Sequence, residues 1–275
     1  LGPFPTGGAP VEPASWERSL GKREALPSFV RLFASEIRAR GSESVLRATL
    51  PALLPGVGSA AFHALIRTAY AIRFREEEDL PHSLGYWAAT FGTLGPIDEA
   101  GKTDPDPLAL LERARRSEQL GCRPQRGRNI VGSMEGAAAL PGFEAVSTAL
   151  SVREDSVARM AEAALRLYAA TRDFTVLHLV TGTHAWRVVE PLVPDRDLGR
   201  RYLWQAFAAA YVGLGTPELG PPPAASAASW DAILKEARGR DDDHDVKLVD
   251  SCREEERVYG EALYRRAAAL RLGLP

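Results

Sequence analysis

The chain has 275 residues, of which 45% are hydrophobic and 25% charged, a composition typical of a globular protein with a sizeable core. Lys and Arg number 34 against 36 Asp and Glu, and this net charge of −2 offers no electrostatic attraction for nucleic acid or an anionic membrane. No apolar run approaches the roughly 20 residues of a membrane span, and Cys122 and Cys252 are isolated, so we expect a cytoplasmic protein with buried free cysteines.

Apolar residues recur at helical spacing along most of the chain, whereas alternating strand patterns are nearly absent. We therefore predict an N-terminal extended segment over 1–25 and a single all-α helical-bundle domain of roughly ten helices over 26–275. Gly-rich residues 120–141 are predicted to be a long loop. The helices are predicted at 26–40, 42–53, 58–75, 80–92, 106–119, 142–150, 154–171, 173–190, 198–214, 228–238 and 242–271.

Several helix ends can be predicted from their capping residues. Ser42 suits an N-cap, and Gly41 suits the end of the helix before it. Asp79 suits the N-cap of the helix that follows the charged run REEED. Gly215 and the proline-rich stretch at 220–225 predict a loop before the next helix.

One face of the helix predicted at 58–75 carries His63, Arg67 and Tyr70, although the rest of that helix is apolar. Such a face is hard to place in solvent and predicts the polar lining of a pocket. A buried hydrogen-bond network around Arg67 explains the same residues equally well. His82 lies in the first turn of the next helix and is expected to be partly exposed.

The helix predicted at 173–190 is apolar nearly all round, so His178 within it should be buried. Gly182 and Ala185 share its face and leave room in front of the ring. A buried imidazole needs partners, because an unpaired buried polar group costs roughly 1–3 kcal/mol. Taken alone, this helix favours a core histidine bonded to a carbonyl or a Tyr hydroxyl, with metal ligation as the alternative. His184 lies about 120° away and meets the same point only if the helix is distorted.

His244 and Lys247 are three residues apart at the start of the last predicted helix, so their side chains point the same way. Asp241 and Asp242 fit a solvated, capped helix start beside the positive end of the helix dipole. A lysine rarely enters a core unpaired, and burial makes its amine easier to deprotonate. An exposed position on the surface therefore does not readily explain the pairing of His244 with Lys247.

Three segments, taken in order, resemble the questin oxidase-like family: HALIRTAYAIRF, LHLVTGTHAWR and DDHDVKLVDSC, at 63–74, 177–187 and 242–252. The resemblance implies an all-helical oxidase that uses dioxygen on an aromatic, anthraquinone-type polyketide, with C–C ring cleavage in some members. It also implies a non-haem Fe(II) bound by histidines and a carboxylated lysine. By position, the implied ligands are His63, His178, His244 and Lys247, the last as a carbamate derived from CO2.

The chain departs from the family pattern at two places. Arg67 stands where fungal members tend to carry a second histidine, and a histidine expected near Thr90 is missing. A fourth imidazole would therefore come from His184 or His82.

The proposed ligand types suit the chemistry of iron. Imidazoles suit Fe(II), and one anionic oxygen lowers the net charge of the site. The apolar faces of the first two histidine helices carry no acid, so a carbamate on a buried Lys247 could supply that oxygen. Arg67 could hold a phenolate or a carboxylate of a small aromatic substrate, and Tyr70 and Trp186 could contact its ring, although core packing explains both aromatics equally well.

Two other functions fit parts of the pattern. His244 and Asp245 form the His-Asp pair of helical metal-dependent phosphohydrolases, but Asp250 follows too closely to serve as their last ligand. A metal-free helical protein that binds a small molecule is the other alternative, because two expected histidines are missing.

Overall fold

The structure of the chain, a computed structural model, describes residues 9–98, 102–221 and 226–275. Within these ranges it contains thirteen α-helices, a few short 3₁₀ helices and no strand, apart from an isolated bridge between Asp104 and Leu150. The predicted all-α fold class is therefore confirmed.

The chain divides into two compact units. The first comprises residues 1–97 and 185–206, and the second comprises residues 98–184 and 207–275. Among the described residues, no helix combines the length and apolar character needed to cross a membrane.

Helices α1 to α4 belong to the first unit. Close packing of α1 on α4 dominates this unit, and a Cβ added at Gly85 of α4 would come within 2.8 Å of Val30 of α1. Trp16 lies edge-on to Phe29 and Phe33 of α1, which ties the N-terminal residues to this pair. The four helices are α1 (Leu26–Arg40), α2 (Ser42–Leu53), α3 (His63–Phe74) and α4 (Asp79–Thr90).

The second unit is built around the last helices of the chain. Its helices are α5 (Pro107–Arg116), α6 (Ile130–Ala138), α7 (Glu144–Ser147), α8 (Ser156–Thr171), α11 (Trp230–Ala237), α12 (Asp243–Tyr259) and α13 (Leu263–Leu272). The long helices α9 (Phe174–Val189) and α10 (Arg196–Gly213) contribute residues to both units. Helix α13 packs along α12 and also contacts α8 and α11, so the start of α12 is supported by the C-terminal helix.

Helix α3 begins at His63, whereas the sequence predicted a helix from residue 58. Ala60, Ala61 and Phe62 have φ values of 51°, 56° and 65°, a left-handed conformation that an α-helix of L-residues cannot continue. Phe62 is 1% exposed, so burial of its ring helps to hold this unfavourable backbone. His63 is consequently the first residue of the helix.

Two predictions in the second unit were wrong. The predicted loop at 120–141 contains α6, whose N-cap Asn129 accepts a hydrogen bond from the backbone N–H of Gly132 at 2.9 Å. The last helix, predicted over 242–271, is broken at Gly260, which has a φ of 72°. A glycine in this left-handed conformation is a common helix terminator, and it separates α12 from α13.

Smaller differences concern helix ends, one cysteine and the N-terminal segment. Ser42 and Asp79 are the first residues of α2 and α4 rather than their N-caps. Cys252 is buried as expected, but Cys122 is exposed. Of the segment predicted to be extended over 1–25, residues 1–8 lie outside the described residues, and Pro13–Ser19 form a 3₁₀ helix whose tryptophan packs on α1.

Candidate metal centre

His178 is a buried histidine with one ring nitrogen bonded locally. It is 1% exposed, and its Nδ1 donates a hydrogen bond to the backbone oxygen of Phe174 at 2.8 Å, one helical turn earlier in α9. The carbonyl partner anticipated from the sequence is therefore present. A proton on Nδ1 leaves the lone pair of the neutral ring on Nε2, which is the state of many metal-binding histidines.

His244 is held by the aspartates that begin α12. Its Nδ1 lies 2.8 Å from Asp242 Oδ1 and 3.0 Å from Asp243 Oδ1. The backbone N–H of His244 also donates to Asp242 Oδ1 at 2.9 Å, so Asp242 is both the N-cap of α12 and the partner of the ring. The backbone hydrogen bond, followed by the one from the ring, lowers the pKa of Asp242. These contacts again favour the Nε2 lone pair in the neutral imidazole.

The two histidines lie side by side in the second unit. Their ring centroids are 5.5 Å apart, and each offers a ring nitrogen within 4.8 Å of the other. The ring of Phe174 stands edge-on to both, with centroid distances of 4.8 Å. Phe174 is 46% exposed, so part of its side chain faces solvent beside this pair. His178 and His244 are therefore placed to share a ligand or a metal ion.

Lys247 forms an ion pair at the start of α12. Its Nζ contacts Asp243 Oδ2 one turn earlier in α12, and its side chain is 30% exposed. The hydrogen bond from Lys247 is the main cause of the lowered pKa of Asp243. Lys247 is thus a partly exposed member of an ion pair, whereas the carbamate hypothesis drew on a buried lysine. Asp243 is also an oxygen donor beside His244 that the sequence reading did not single out.

Asp245, the second member of the His-Asp pair, is engaged elsewhere. It is 6% exposed, and its Oδ1 lies 2.5 Å from Nε of Arg271 on α13. A carboxylate committed to a guanidinium is a poor metal ligand. The phosphohydrolase alternative therefore loses the residue on which it depended.

His184 is paired with an acid that the sequence analysis missed. Its Nδ1 lies 2.6 Å from Oε1 of Glu255 on α12, and both side chains are 3% exposed. Glu255 follows Leu248 and Cys252 at helical spacing, and all three are buried. An acid in an apolar stripe was the sequence signal for this pair. His184 can reach a metal only through Nε2, since Nδ1 faces the carboxylate.

In the first unit, His63 repeats the local pattern of the other two histidines. It is half-buried at the start of α3, and its Nδ1 donates to the backbone oxygen of Ala60 at 2.6 Å. Arg67, one turn later, is exposed and stacks its guanidinium 4.9 Å above the ring of Tyr86. Burial raises the pKa of the Tyr86 hydroxyl, and the charge of Arg67 opposes that rise.

The predicted polar face of α3 lines a small pocket in the first unit. Arg67, Tyr70, Phe74 and His82 contribute to a cavity of about 180 Å³ between α3 and α4. Tyr70 stacks on Phe74 with ring centroids 5.7 Å apart. His82 is exposed, in line with the partial exposure expected for it, and Arg67 is exposed rather than part of a buried network.

Trp186 has the surroundings of a core residue. It is fully buried in the first unit, and its indole Nε1 donates to Glu190 Oε1 at 3.1 Å. Arg200 holds the same carboxylate oxygen at 2.5 Å, and a Cβ at Gly199 would come within 2.3 Å of the indole ring. These contacts support the core-packing interpretation of Trp186 over substrate contact.

The family model described as questin oxidase-like matches residues 4–252, which include all three histidine motifs and Lys247. No curated protein matches the chain. Membership of this family implies an oxidoreductase and suggests an oxidase of anthraquinone-type substrates. Because the match covers most of the 275 residues, the chain belongs to the questin oxidase-like family.

Proposed function

We propose that the chain is a non-haem iron oxidase that uses dioxygen on a small aromatic, anthraquinone-type polyketide, with C–C ring cleavage as the reaction to test first. One observation carries the proposal. The histidines at the three family motif positions, His63, His178 and His244, each donate Nδ1 to a nearby acceptor and so direct Nε2 to another partner. Local anchoring of Nδ1 is typical of histidines that bind metals.

The side chains present suit iron. We propose the Nε2 atoms of His63, His178 and His244 as ligands, because imidazole nitrogen suits Fe(II). An anionic oxygen would come from Asp243 itself, or from a carbamate on Lys247. The carbamate would form after the ammonium leaves Asp243 and loses a proton to solvent, when the neutral amine adds to CO2 and releases a second proton. When bound, iron would supply the activation of dioxygen toward the aromatic substrate. A fourth imidazole would come from His184 or, less directly, from exposed His82.

Other residues would bind the substrate. The half-exposed ring of Phe174 contacts both His178 and His244, so it is placed to shield them from water and to pack against an aromatic ring. We also propose Arg67 and Tyr70 as substrate-binding residues. A guanidinium stacked on an aromatic ring keeps its edge available for a phenolate or a carboxylate.

Oxygen uptake by iron-loaded protein tests this function. The purified chain is reconstituted anaerobically with Fe(II), and dioxygen consumption is followed with a panel of hydroxylated anthraquinones, with product masses recorded. We expect uptake by the wild type, loss of uptake and of iron in His178→Ala, and near-normal behaviour in the control Val258→Ala, which changes an exposed side chain with no role in the proposed site. The proposal would be overturned if no member of the panel caused oxygen uptake, or if His178→Ala took up oxygen as fast as the wild type. Phosphodiesterase activity with two bound divalent ions would instead identify the protein as a phosphohydrolase.

A further inference from the structure

Arg271 connects the C-terminal helix to the start of α12. It lies on α13, beyond residue 252 where the family match ends. Its Nη2 donates to Asp242 Oδ2 at 2.8 Å, and its Nε donates to Asp245 Oδ1 at 2.5 Å. The Arg271 side chain is 22% exposed and that of Asp245 is 8% exposed, whereas Asp242 is 47% exposed, so the ion pair joins a shielded carboxylate to one near the surface. One guanidinium thus holds two carboxylates of α12 together.

The two oxygens of Asp242 have different partners. Oδ2 accepts from Arg271, while Oδ1 accepts from both the ring Nδ1 and the backbone N–H of His244. Contacts at both oxygens fix the plane of the carboxylate. A continuous series of hydrogen bonds therefore runs from Arg271 through Asp242 to the imidazole of His244.

Asp245 keeps the guanidinium itself in place. Asp245 is 6% exposed and pairs with Nε, so the planar group cannot rotate without breaking that bond. Burial raises the pKa of Tyr168 on α8, and the positive charge of Arg271 opposes that rise. The cation is thus anchored on Asp245 of α12, and its Nη2 is directed at Asp242.

We propose that Arg271 is a positioning residue that holds His244, through Asp242, in the tautomer and orientation that present Nε2 to a metal ion. The inference rests on the proposed metal centre. Removal of the hydrogen-bond partner of a metal-binding histidine typically lowers metal affinity about 10- to 100-fold. In this proposal Arg271 contributes a comparable amount to metal affinity, although it lies on α13, outside the residues that match the family model.

Cobalt(II) affinity and the tautomer of His244 test this role. The variants are Arg271→Met and Asp242→Asn, the latter because asparagine keeps the N-cap of α12 while losing the carboxylate charge. Arg266→Met on the same helix is the control. We expect both variants to bind Co²⁺ at least about 10-fold more weakly than the wild type. The double variant should lose little further Co²⁺ affinity beyond either single change, because both residues act through the same contact. The control should match the wild type.

Imidazole ¹⁵N shifts of the metal-free protein give a second, independent measurement. The wild type should show His244 mainly protonated at Nδ1, and both variants should show a mixture of the two tautomers. A change in stability alone would leave this tautomer unaltered. Unchanged Co²⁺ affinity and tautomer in Arg271→Met or Asp242→Asn would overturn the inference while leaving the metal centre intact. Absence of Co²⁺ binding by the wild type would instead overturn the proposed function.

Discussion

His63 and His178 bond their Nδ1 atoms to backbone oxygens three and four residues earlier in the chain, at 2.6 Å and 2.8 Å. For His178, inside α9, such a partner follows from helix geometry, because a helical side chain leans over the preceding turn. His63 is the first residue of α3, so its bond to Ala60 depends instead on the left-handed backbone before that helix. The sequence indicated a carbonyl or Tyr hydroxyl partner for His178 because a buried imidazole needs one. It placed Asp242 at the start of the last helix but did not indicate that its carboxylate would hold the ring of His244.

Phe174 provides a test of substrate binding at the level of one side chain. We expect Phe174→Leu to raise KM for an aromatic substrate about fivefold, because an aromatic contact contributes about 1 kcal/mol. Iron content should stay unchanged, since the backbone oxygen of residue 174 still accepts from His178. Steady-state oxygen uptake and metal analysis measure the two quantities.

Val258→Ala serves as the matched control, because Val258 is also an exposed apolar residue of the second unit, with 53% exposure. It should leave KM unaltered. An unchanged KM in Phe174→Leu would show that this ring does not contact the substrate.

The buried pair of His184 and Glu255 provides a test of stability. Glu255→Ala should lower the free energy of unfolding by about 1–3 kcal/mol, because it leaves a buried imidazole without the partner of its Nδ1. Urea denaturation measures the change. The control Glu236→Ala breaks an exposed ion pair with Arg240 and should cost no more than about 1 kcal/mol. Equal costs for the two variants would contradict the assigned role of the pair.

At the level of secondary structure, the sequence predicted most helices closely. Helices α1 and α2 begin and end where predicted, because Gly41 separates two strongly amphipathic segments. The break at Gly260 was missed because the apolar pattern continues on both sides of it. The late start of α3 could not be predicted, since residues 60–62 adopt left-handed backbone under tertiary packing rather than from any local preference.

Gly260 provides a test of the break between α12 and α13. Its φ is 72°, and a Cβ at this position would meet no atom within 4 Å, so only backbone strain opposes a side chain. We expect Gly260→Ala to lower the free energy of unfolding by about 1–2 kcal/mol, and Gly260→Asn to cost less, because asparagine tolerates this conformation better. Urea denaturation of both variants provides the measurement.

Gly239→Ala is the control for this change, because Gly239 also follows a helix but lacks a positive φ. Alanine there should be neutral or slightly stabilising. If Gly260→Ala were as stable as the wild type, the left-handed helix end at residue 260 would be contradicted.

At the level of the whole molecule, periodicity was sufficient to predict the all-α fold, and the resemblance of three short segments was sufficient to predict the family. The residues that sequence reasoning missed are Asp243, Glu255 and Arg271. Glu255 and Arg271 act on residues far away in the chain, and a single sequence carries no record of such pairings. Asp243 was missed for a local reason: its ion pair with Lys247 is an ordinary one-turn helix contact, so nothing marked it as a possible ligand.

Anomalous scattering at the iron edge, from crystals of the Fe(II)-reconstituted protein, tests the central claim most directly. We predict a single strong peak per chain, within bonding distance of Nε2 of His63, His178 and His244. A map without an iron peak, or with its peak away from these three nitrogens, would contradict the proposed metal centre.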